Sequence, residues 1–265
     1  MTAMFEDLAS IAPLSARGED RFDFVMPDGW QQGRGTFGGL VLGLLVRAVE
    51  TLEPASERPL RTLNATLGAA LKPGPAEIQV TLRRRGRALS SFSAQMFQGG
   101  QVVAEALTIH GLARTHESMP GELRAPDIPP WAELPVAPMG PPVAPVFTQH
   151  FEYRNVGPVP FVGGPEAVAA GWVRPRVRRR MHDAAELIAL TDAWWPAPFA
   201  CTTGPRPMAT VAFQWSQYGA AAGDEPLFHT GRVLAAADGF FTEERVLFSE
   251  SGTLVALNQQ TFAVD

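Results

Sequence analysis

The sequence predicts an α+β fold of two tandem units, each a helix wrapped by a long antiparallel sheet. Three observations carry that expectation. The end of the chain repeats its middle: Gly100-Gln101-Val102-Val103-Ala104 recurs as Gly252-Thr253-Leu254-Val255-Ala256, and Trp30 before a helical segment recurs as Trp172. The offsets, 152 and 142 residues, are too long for a solenoid and fit a duplicated domain. Each half also runs from a strand through an apolar helix into four further strand-like segments. Finally, residues 115–146 carry nine prolines between Pro120 and Pro145, a density that neither a helix nor an interior strand tolerates. This stretch reads as an extended linker, dividing the chain into units 1–114 and 147–265.

In chain order, residues 4–12 read as a short helix and Arg21 to Met26 (RFDFVM) as an alternating strand. A glycine-dense stretch, Gly33 to Gly39, precedes Leu40 to Leu52, which is apolar on nearly every face and reads as a buried helix closed by Pro54 and Pro59. Strands are expected over Arg61 to Leu71, Ala76 to Arg84, Leu89 to Gln98 and Gln101 to Leu112. Lys72-Pro73-Gly74-Pro75, Arg85-Gly86-Arg87 and Gly99-Gly100 supply the turns between them. After the linker, Phe147 to Arg154 and Ala169 to Arg176 read as strands, Asp183 to Leu190 as a helix and Trp194 to Gly204 as irregular. Strands follow at Met208 to Gln217, Leu227 to Ala237, Phe240 to Phe248 and Thr253 to Ala263.

Composition narrows the function classes. With 46% hydrophobic and 18% charged residues the chain is globular rather than disordered. No apolar run approaches the roughly 18 residues of a membrane span, so no membrane partner is expected. Residues 1–10 lack the basic flank of a signal peptide. A net charge of −5 gives no electrostatic reason to expect nucleic acid. Two basic runs, Arg83 to Arg87 and Arg174 to Arg180, are either solvated faces or contacts for an anionic ligand. The single Cys201 excludes an intrachain disulfide and reads as a small buried hydrophobe, which suits a reducing, cytoplasmic setting.

The common catalytic motifs are missing: there is no Gly-x-Ser-x-Gly elbow, phosphate loop or dinucleotide fingerprint. His110, His116, His150, His182 and His229 show no metal-ligand spacing, so neither metal nor cofactor is expected. Chemistry must then come from isolated polar residues in apolar surroundings. Asp192 ends the apolar run Leu187-Ile188-Ala189-Leu190-Thr191, at the unfavourable end of its helix dipole. On pattern alone it reads as an exposed end residue. Thr210 fits ordinary strand propensity. In the last strand, alternation leaves open whether Gln259 or Gln260 faces inward, where a polar group needs a partner. Phe37-Gly38-Gly39 leads into the first buried helix, where glycines serve equally for ligand approach to free N–H groups or for close packing.

Taken in order, these segments resemble the acyl-CoA thioesterase II family, the double-hotdog thioesterases. The resemblance rests on Gly35-Thr36-Phe37-Gly38-Gly39, Leu71-Lys72-Pro73-Gly74, Arg83 to Gly86 and Ser91-Phe92-Ser93-Ala94 in the first half. In the second half it rests on Thr191-Asp192, Ala209-Thr210, and Leu254-Val255-Ala256 followed by Gln260. It implies a double hotdog in which Asp192, Thr210 and Gln260 jointly hold the water that attacks the thioester carbonyl, and it selects Gln260 over Gln259. It further implies a substrate site at Phe37, Gly38, Gly39 and Trp194, an acyl-CoA substrate, a place in fatty acid metabolism, no metal and a homo-oligomer. Trp194-Trp195-Pro196 departs from the pattern and suggests a short or unusually shaped acyl group. An acyl-CoA binding protein and, more remotely, a hotdog dehydratase built on His182-Asp183 are the competing readings.

Overall fold

Twelve antiparallel strands form one continuous sheet around two central helices in the computed structural model, which describes residues 14–115, 123–177 and 182–264. The helix expected over residues 4–12, with His116 and Arg178 to Arg180, lies outside the described residues. The first half comprises β1 (Ser15–Ala16), β2 (Arg21–Met26), β3 (Gln31–Gln32), β4 (Gly35–Thr36), α1 (Gly38–Leu52), β5 (Leu60–Leu67), β6 (Gly74–Arg85), β7 (Leu89–Gln98) and β8 (Gln101–Gly111). The second comprises β9 (Phe151–Asn155), β10 (Val168–Pro175), α2 (Ala184–Asp192), β11 (Met208–Gln217), β12 (Leu227–Ala237), β13 (Phe240–Phe248) and β14 (Leu254–Val264). Single 3-10 turns lie at Trp131–Glu133, Val146–His150 and Ala197–Ala200. No described helix is long and apolar enough to cross a membrane.

The sheet order is β1-β2-β6-β7-β8-β5-β11-β14-β13-β12-β10-β9. Read from β2 and from β10, the two halves have the same connectivity, with the strand after the helix placed at the inner edge. Those inner strands, β5 and β11, pair with each other about the Asn64–Gln214 register. Even the irregularities repeat: bulges fall at Leu60/Thr62 and Thr210/Ala212, and again at Leu82/Arg84 and Val233/Ala235. Gly100 and Gly252, the repeated turn glycines, share φ near 80° (79° and 80°). The tryptophans do not correspond. Trp30 follows β2 and stacks on His150 in the main core (3.8 Å), whereas Trp172 lies within β10 on the outer face.

α1 is buried on almost all sides because the sheet covers one flank and α2 the other. Leu40, Leu42, Leu44, Leu45 and Val46 are wholly inaccessible, each worth about 1.5–3 kcal/mol of transfer free energy. Gly39 permits the helix crossing: a Cβ there would lie 2.8 Å from Ala189 Cα and 2.6 Å from the Phe37 ring. Two expected strands are shorter than the sequence suggests, one at its end and one at its start. β5 stops at Leu67 because Gly68 and Ala69 both donate to Val103 O (3.0 and 3.2 Å). The strand expected from Phe147 begins only at Phe151, since the turn after Pro145 rotates Phe147 inward to stack on Phe37 at 4.1 Å. The proline-rich stretch is pinned rather than free. Trp131 packs with Trp172, Phe228, Val246 and Phe248 on the outer sheet face, beneath the guanidinium groups of Arg154 and Arg174 (4.3 and 4.5 Å).

Candidate active site

Asp192 is the last residue of α2, yet it lies against the first turn of α1. It is buried, which corrects the exposed position that pattern alone suggests. Its Oδ2 approaches the place a Gly38 Cβ would occupy (3.0 Å), and its carboxylate accepts the Gly39 N–H. Phe37, the N-cap residue of α1, offers no side-chain cap. The carboxylate therefore supplies charge where the positive end of the α1 dipole wants it. What is unfavourable for α2 is favourable for α1. Burial raises the Asp192 pKa to about 6, against the lowering pull of Arg245, Gln260 and the Gly39 N–H, with Glu243 adding to the rise.

Alternation on β14 turns Gln260 inward, almost inaccessible, while Gln259 faces out. The amide is best oriented with its oxygen toward Arg245 (2.9 Å to Nε, 3.2 Å to Nη1) and its nitrogen donating to Thr210 Oγ1 at 3.2 Å. The opposite orientation lets nitrogen donate to Asp192 Oδ1 at 3.4 Å but sets two donors face to face at Arg245. In both orientations the Gln260 amide lies 3.2 Å from Oγ1 of half-buried Thr210 and 3.4 Å from Asp192 Oδ1, and only the second orientation bonds the carboxylate. Leu40 and Val41 donate to Phe37 O, so Gly38 N–H is the first-turn donor of α1 with no partner among the described residues.

Behind these three lies a group that the sequence reading missed. Arg245 donates to Glu243 Oε1 (2.8 Å), Thr191 O (3.3 Å) and Asp192 Oδ1 (3.4 Å), and Glu243 Oε2 accepts the Ala197 N–H at 3.0 Å. Glu243 and Arg245 are both buried on the helix-facing side of β13. Burial raises the Glu243 pKa although Arg245 opposes it. The duplication supplies an internal control. Following the strand pairings outward from the Asn64–Gln214 register, Thr210, His229, Glu243, Arg245 and Gln260 correspond to Leu60, Ile78, Phe92, Ala94 and Thr108. The fold packs these positions with mostly apolar residues in the first half, so the charged set is not a requirement of the architecture.

Other expected residues fall elsewhere. Phe37 is wholly buried in an aromatic cluster with Phe147 and Phe151. Trp194 packs between Tyr153, Trp195 and His229. Cys201 is exposed, contrary to its reading as a buried hydrophobe. His182 and Asp183 serve the other end of α2: His182 Nδ1 bonds Glu186 (2.9 Å) and Asp183 accepts the Glu186 N–H (3.0 Å). One helix length, about 13 Å, separates them from Asp192. The Arg83 to Arg87 hairpin lies five strands and five residues of register from Gln260, about 30 Å along the sheet. There Arg85 pairs with Glu53, Arg83 with Ser93 (2.8 Å), and Arg84 and Arg87 border a cavity of about 340 Å³. In the second basic run Arg174 is bound to Glu152 (2.9 Å) and Arg176 to Gln149 O (2.9 Å). A surface cavity of about 580 Å³ beside β2 and β6 holds none of the site residues.

Fold and site together define a tandem-hotdog protein with a buried charged centre in its second half. The acyl-CoA thioesterase N-terminal domain profile matches residues 26–111 and the acyl-CoA thioesterase C-terminal domain profile matches residues 122–264. The chain thus belongs to the acyl-CoA thioesterase family, and it is a thioesterase. No curated protein matches its sequence. Among solved structures it is similar to a hot dog-fold protein of unknown function from Alicyclobacillus acidocaldarius (TM-score 0.88, 23% identity, 97% of each chain covered). It is also similar to the acyl-CoA thioesterase II TesB2 of Mycobacterium marinum (TM-score 0.78, 18% identity, 98% of each chain). These identities speak for the fold.

Proposed function

We propose that this chain hydrolyses an acyl-CoA thioester by direct attack of a water molecule held by Asp192, Thr210 and Gln260. The observation that carries the reading is that the Gln260 amide lies 3.2 Å from Thr210 Oγ1 and 3.4 Å from Asp192 Oδ1 at the N-terminus of α1, with the Asp192 pKa near 6. A base with a pKa close to neutrality is largely ionised at the working pH and still accepts a proton well. Asp192 takes one proton from the water as its oxygen bonds to the thioester carbon. Gln260, held by Arg245, presents its amide to Thr210, and the Thr210 hydroxyl is left free to orient the water. The developing oxyanion is stabilised by Gly38 N–H and the α1 dipole. Collapse breaks the C–S bond, and the departing thiolate recovers the proton from Asp192. A thioester carbonyl is activated by its poor resonance with sulfur, so this path needs no metal.

The phosphates of coenzyme A are assigned to Arg34 and Arg206. Both are exposed without a side-chain partner among the described residues, and each lies four residues before a site residue, Gly38 and Thr210. The chain is further proposed to act in the cytoplasm and to self-associate; light scattering at 28.6 kDa alone would overturn the second point. The test of the mechanism is thiol release from a panel of acyl-CoAs. Asp192→Asn should keep fold and binding while kcat falls by roughly 10²-fold or more. Thr210→Val and Gln260→Ala should lose less, and not additively, because all three act on one water. Undiminished turnover in folded Asp192→Asn would sink the assignment.

A further inference from the structure

Next to the proposed catalytic group lies a set of buried nitrogens that the reaction does not use. His229 is fully inaccessible, and neither its Nδ1 nor its Nε2 has a hydrogen-bond partner. The same is true of Nε1 of Trp194 and Nε1 of Trp195. The rings adjoin: Trp194 stacks on His229 with centroids 5.6 Å apart and lies 4.5 Å from Trp195. The cluster also adjoins the site. Trp194 follows Asp192 by two residues, and a Cβ on Gly231 would sit 3.2 Å from His229 Cε1 and 2.8 Å from Glu243 Oε1, the atom that Arg245 holds.

Buried polar atoms are rarely left without partners, because each costs about 1–3 kcal/mol. The first half shows that the fold does not demand them, since Ile78 occupies the position matching His229 and is equally buried. We propose that Trp194, Trp195 and His229 form the distal wall of the acyl pocket and select an acyl group bearing a hydroxyl on its third or fourth carbon. This rests on the thioesterase reading and gives it a substrate class.

The chemistry of the wall favours a hydroxyl over other substituents. Indole N–H groups only donate, whereas a neutral imidazole presents one donor and one acceptor. A hydroxyl oxygen can accept from an indole and donate its proton to the imidazole, satisfying groups of both kinds. A keto oxygen uses donors alone. A carboxylate would face Asp192 and Glu243, with Arg245 already engaged by both. Burial together with Arg245 holds His229 well below the usual histidine range, so the ring offers no cation to an anionic chain. An unsubstituted chain leaves the nitrogens unpaired. The bulk of the two indoles beside the base keeps the selected group short.

The test compares kcat/KM for four- and five-carbon acyl-CoAs, unsubstituted or hydroxylated on the third or fourth carbon. Hydroxylated substrates should be preferred by about tenfold or more. In His229→Leu that ratio should fall to near one, and in Trp195→Phe, which removes only the N–H, it should fall partway. Should His229→Leu not fold, Trp195→Phe decides by itself. A parent ratio near one, as expected if water alone solvates these nitrogens, overturns the proposal, and so does an unchanged ratio in the variants. Should no thioester be hydrolysed, quenching of tryptophan fluorescence by the same ligands separates the two ideas. Tighter binding of hydroxylated ligands then upholds the pocket while the hydrolytic reading falls, and equal binding overturns both.

Discussion

Asp192 combines a role in the proposed reaction with a cost to the fold, and both are readable in its titration. Burial lifts its pKa from 3.8 to about 6. If it is the base, kcat/KM should rise with pH through an ascending limb near 6, and Asp192→Asn should abolish that limb. Replacing Arg245 and Glu243 together, as Arg245→Met with Glu243→Gln, avoids leaving one buried charge alone. Arg245 lowers the Asp192 pKa more than Glu243 raises it, so the limb should move to higher pH in the double variant. A pH–rate profile of unchanged midpoint would remove Arg245 from the account of Asp192. The stability consequence has the opposite sign to the usual carboxylate. The folded state holds the proton more tightly than the unfolded chain, so stability is present below about pH 4 and lost as pH rises through about 6. Asp192→Asn should therefore be more stable than the parent at pH 7, by at most about 3 kcal/mol, and gain little at pH 4. Denaturant melts at the two pH values check this. Asp192, Thr210 and Gln260 were legible in the sequence only through their ordered resemblance to a family. Glu243, Arg245 and His229 were not legible by either route. Alternation does place Phe241, Glu243, Arg245 and Leu247 on one face, but Val246 and Phe248 are buried on the other beneath Trp131. A strand covered on both faces loses the period-two contrast that would have marked inward charges.

Among elements, the α1–α2 crossing resolves the two readings of the glycine pair. Gly39 serves packing with its Cα and the site with its N–H. Gly38 serves the site, since its missing Cβ leaves room for Asp192 Oδ2 (3.0 Å) and Leu67 Cδ1 (3.2 Å). Gly39→Ala would press a methyl against Ala189 Cα and should destabilise by about 1–3 kcal/mol. Gly38→Ala meets only side chains, so it should cost less stability and displace the carboxylate, lowering kcat more than Tm. Equal thermal shifts in the two variants, with equal activity loss, would contradict this division. Strand positions were legible in the sequence wherever glycine or proline turns bracketed them, and β7, β11, β12 and β13 begin and end where composition puts them. The errors arose where tertiary contacts override local preference. The Val103 carbonyl ends β5, and Phe37 draws Phe147 out of β9. The proline-rich stretch reads as a tether, and nothing in its composition shows that Trp131 fastens it to the sheet.

For the whole molecule, the junction of β5 with β11 raises the question of whether either half is a folding unit. We propose units 1–114 and 147–265 as repeats in topology but not in autonomy. Each inner strand finds its second neighbour only in the other half, and Thr62 and Ser216 bond across the junction (Thr62 Oγ1 to Trp215 O, 2.8 Å; Ser216 Oγ to Thr62 Oγ1, 3.3 Å). The apolar flank of α1 that α2 covers would face water in the isolated first unit. An exposed inner strand beside an exposed apolar helix invites aggregation. Asp192 would lose the α1 N-terminus that its carboxylate caps, so the second unit could not assemble the site although it carries Asp192, Thr210 and Gln260. Each half expressed by itself should aggregate or remain unfolded. Co-expressed halves should associate and recover thiol-releasing activity, and the intact chain should unfold in a single transition by circular dichroism and tryptophan fluorescence alike. A soluble second half that hydrolyses acyl-CoA unaided would show that α1 contributes nothing to the reaction, and would remove both the helix cap on Asp192 and the Gly38 N–H from the mechanism.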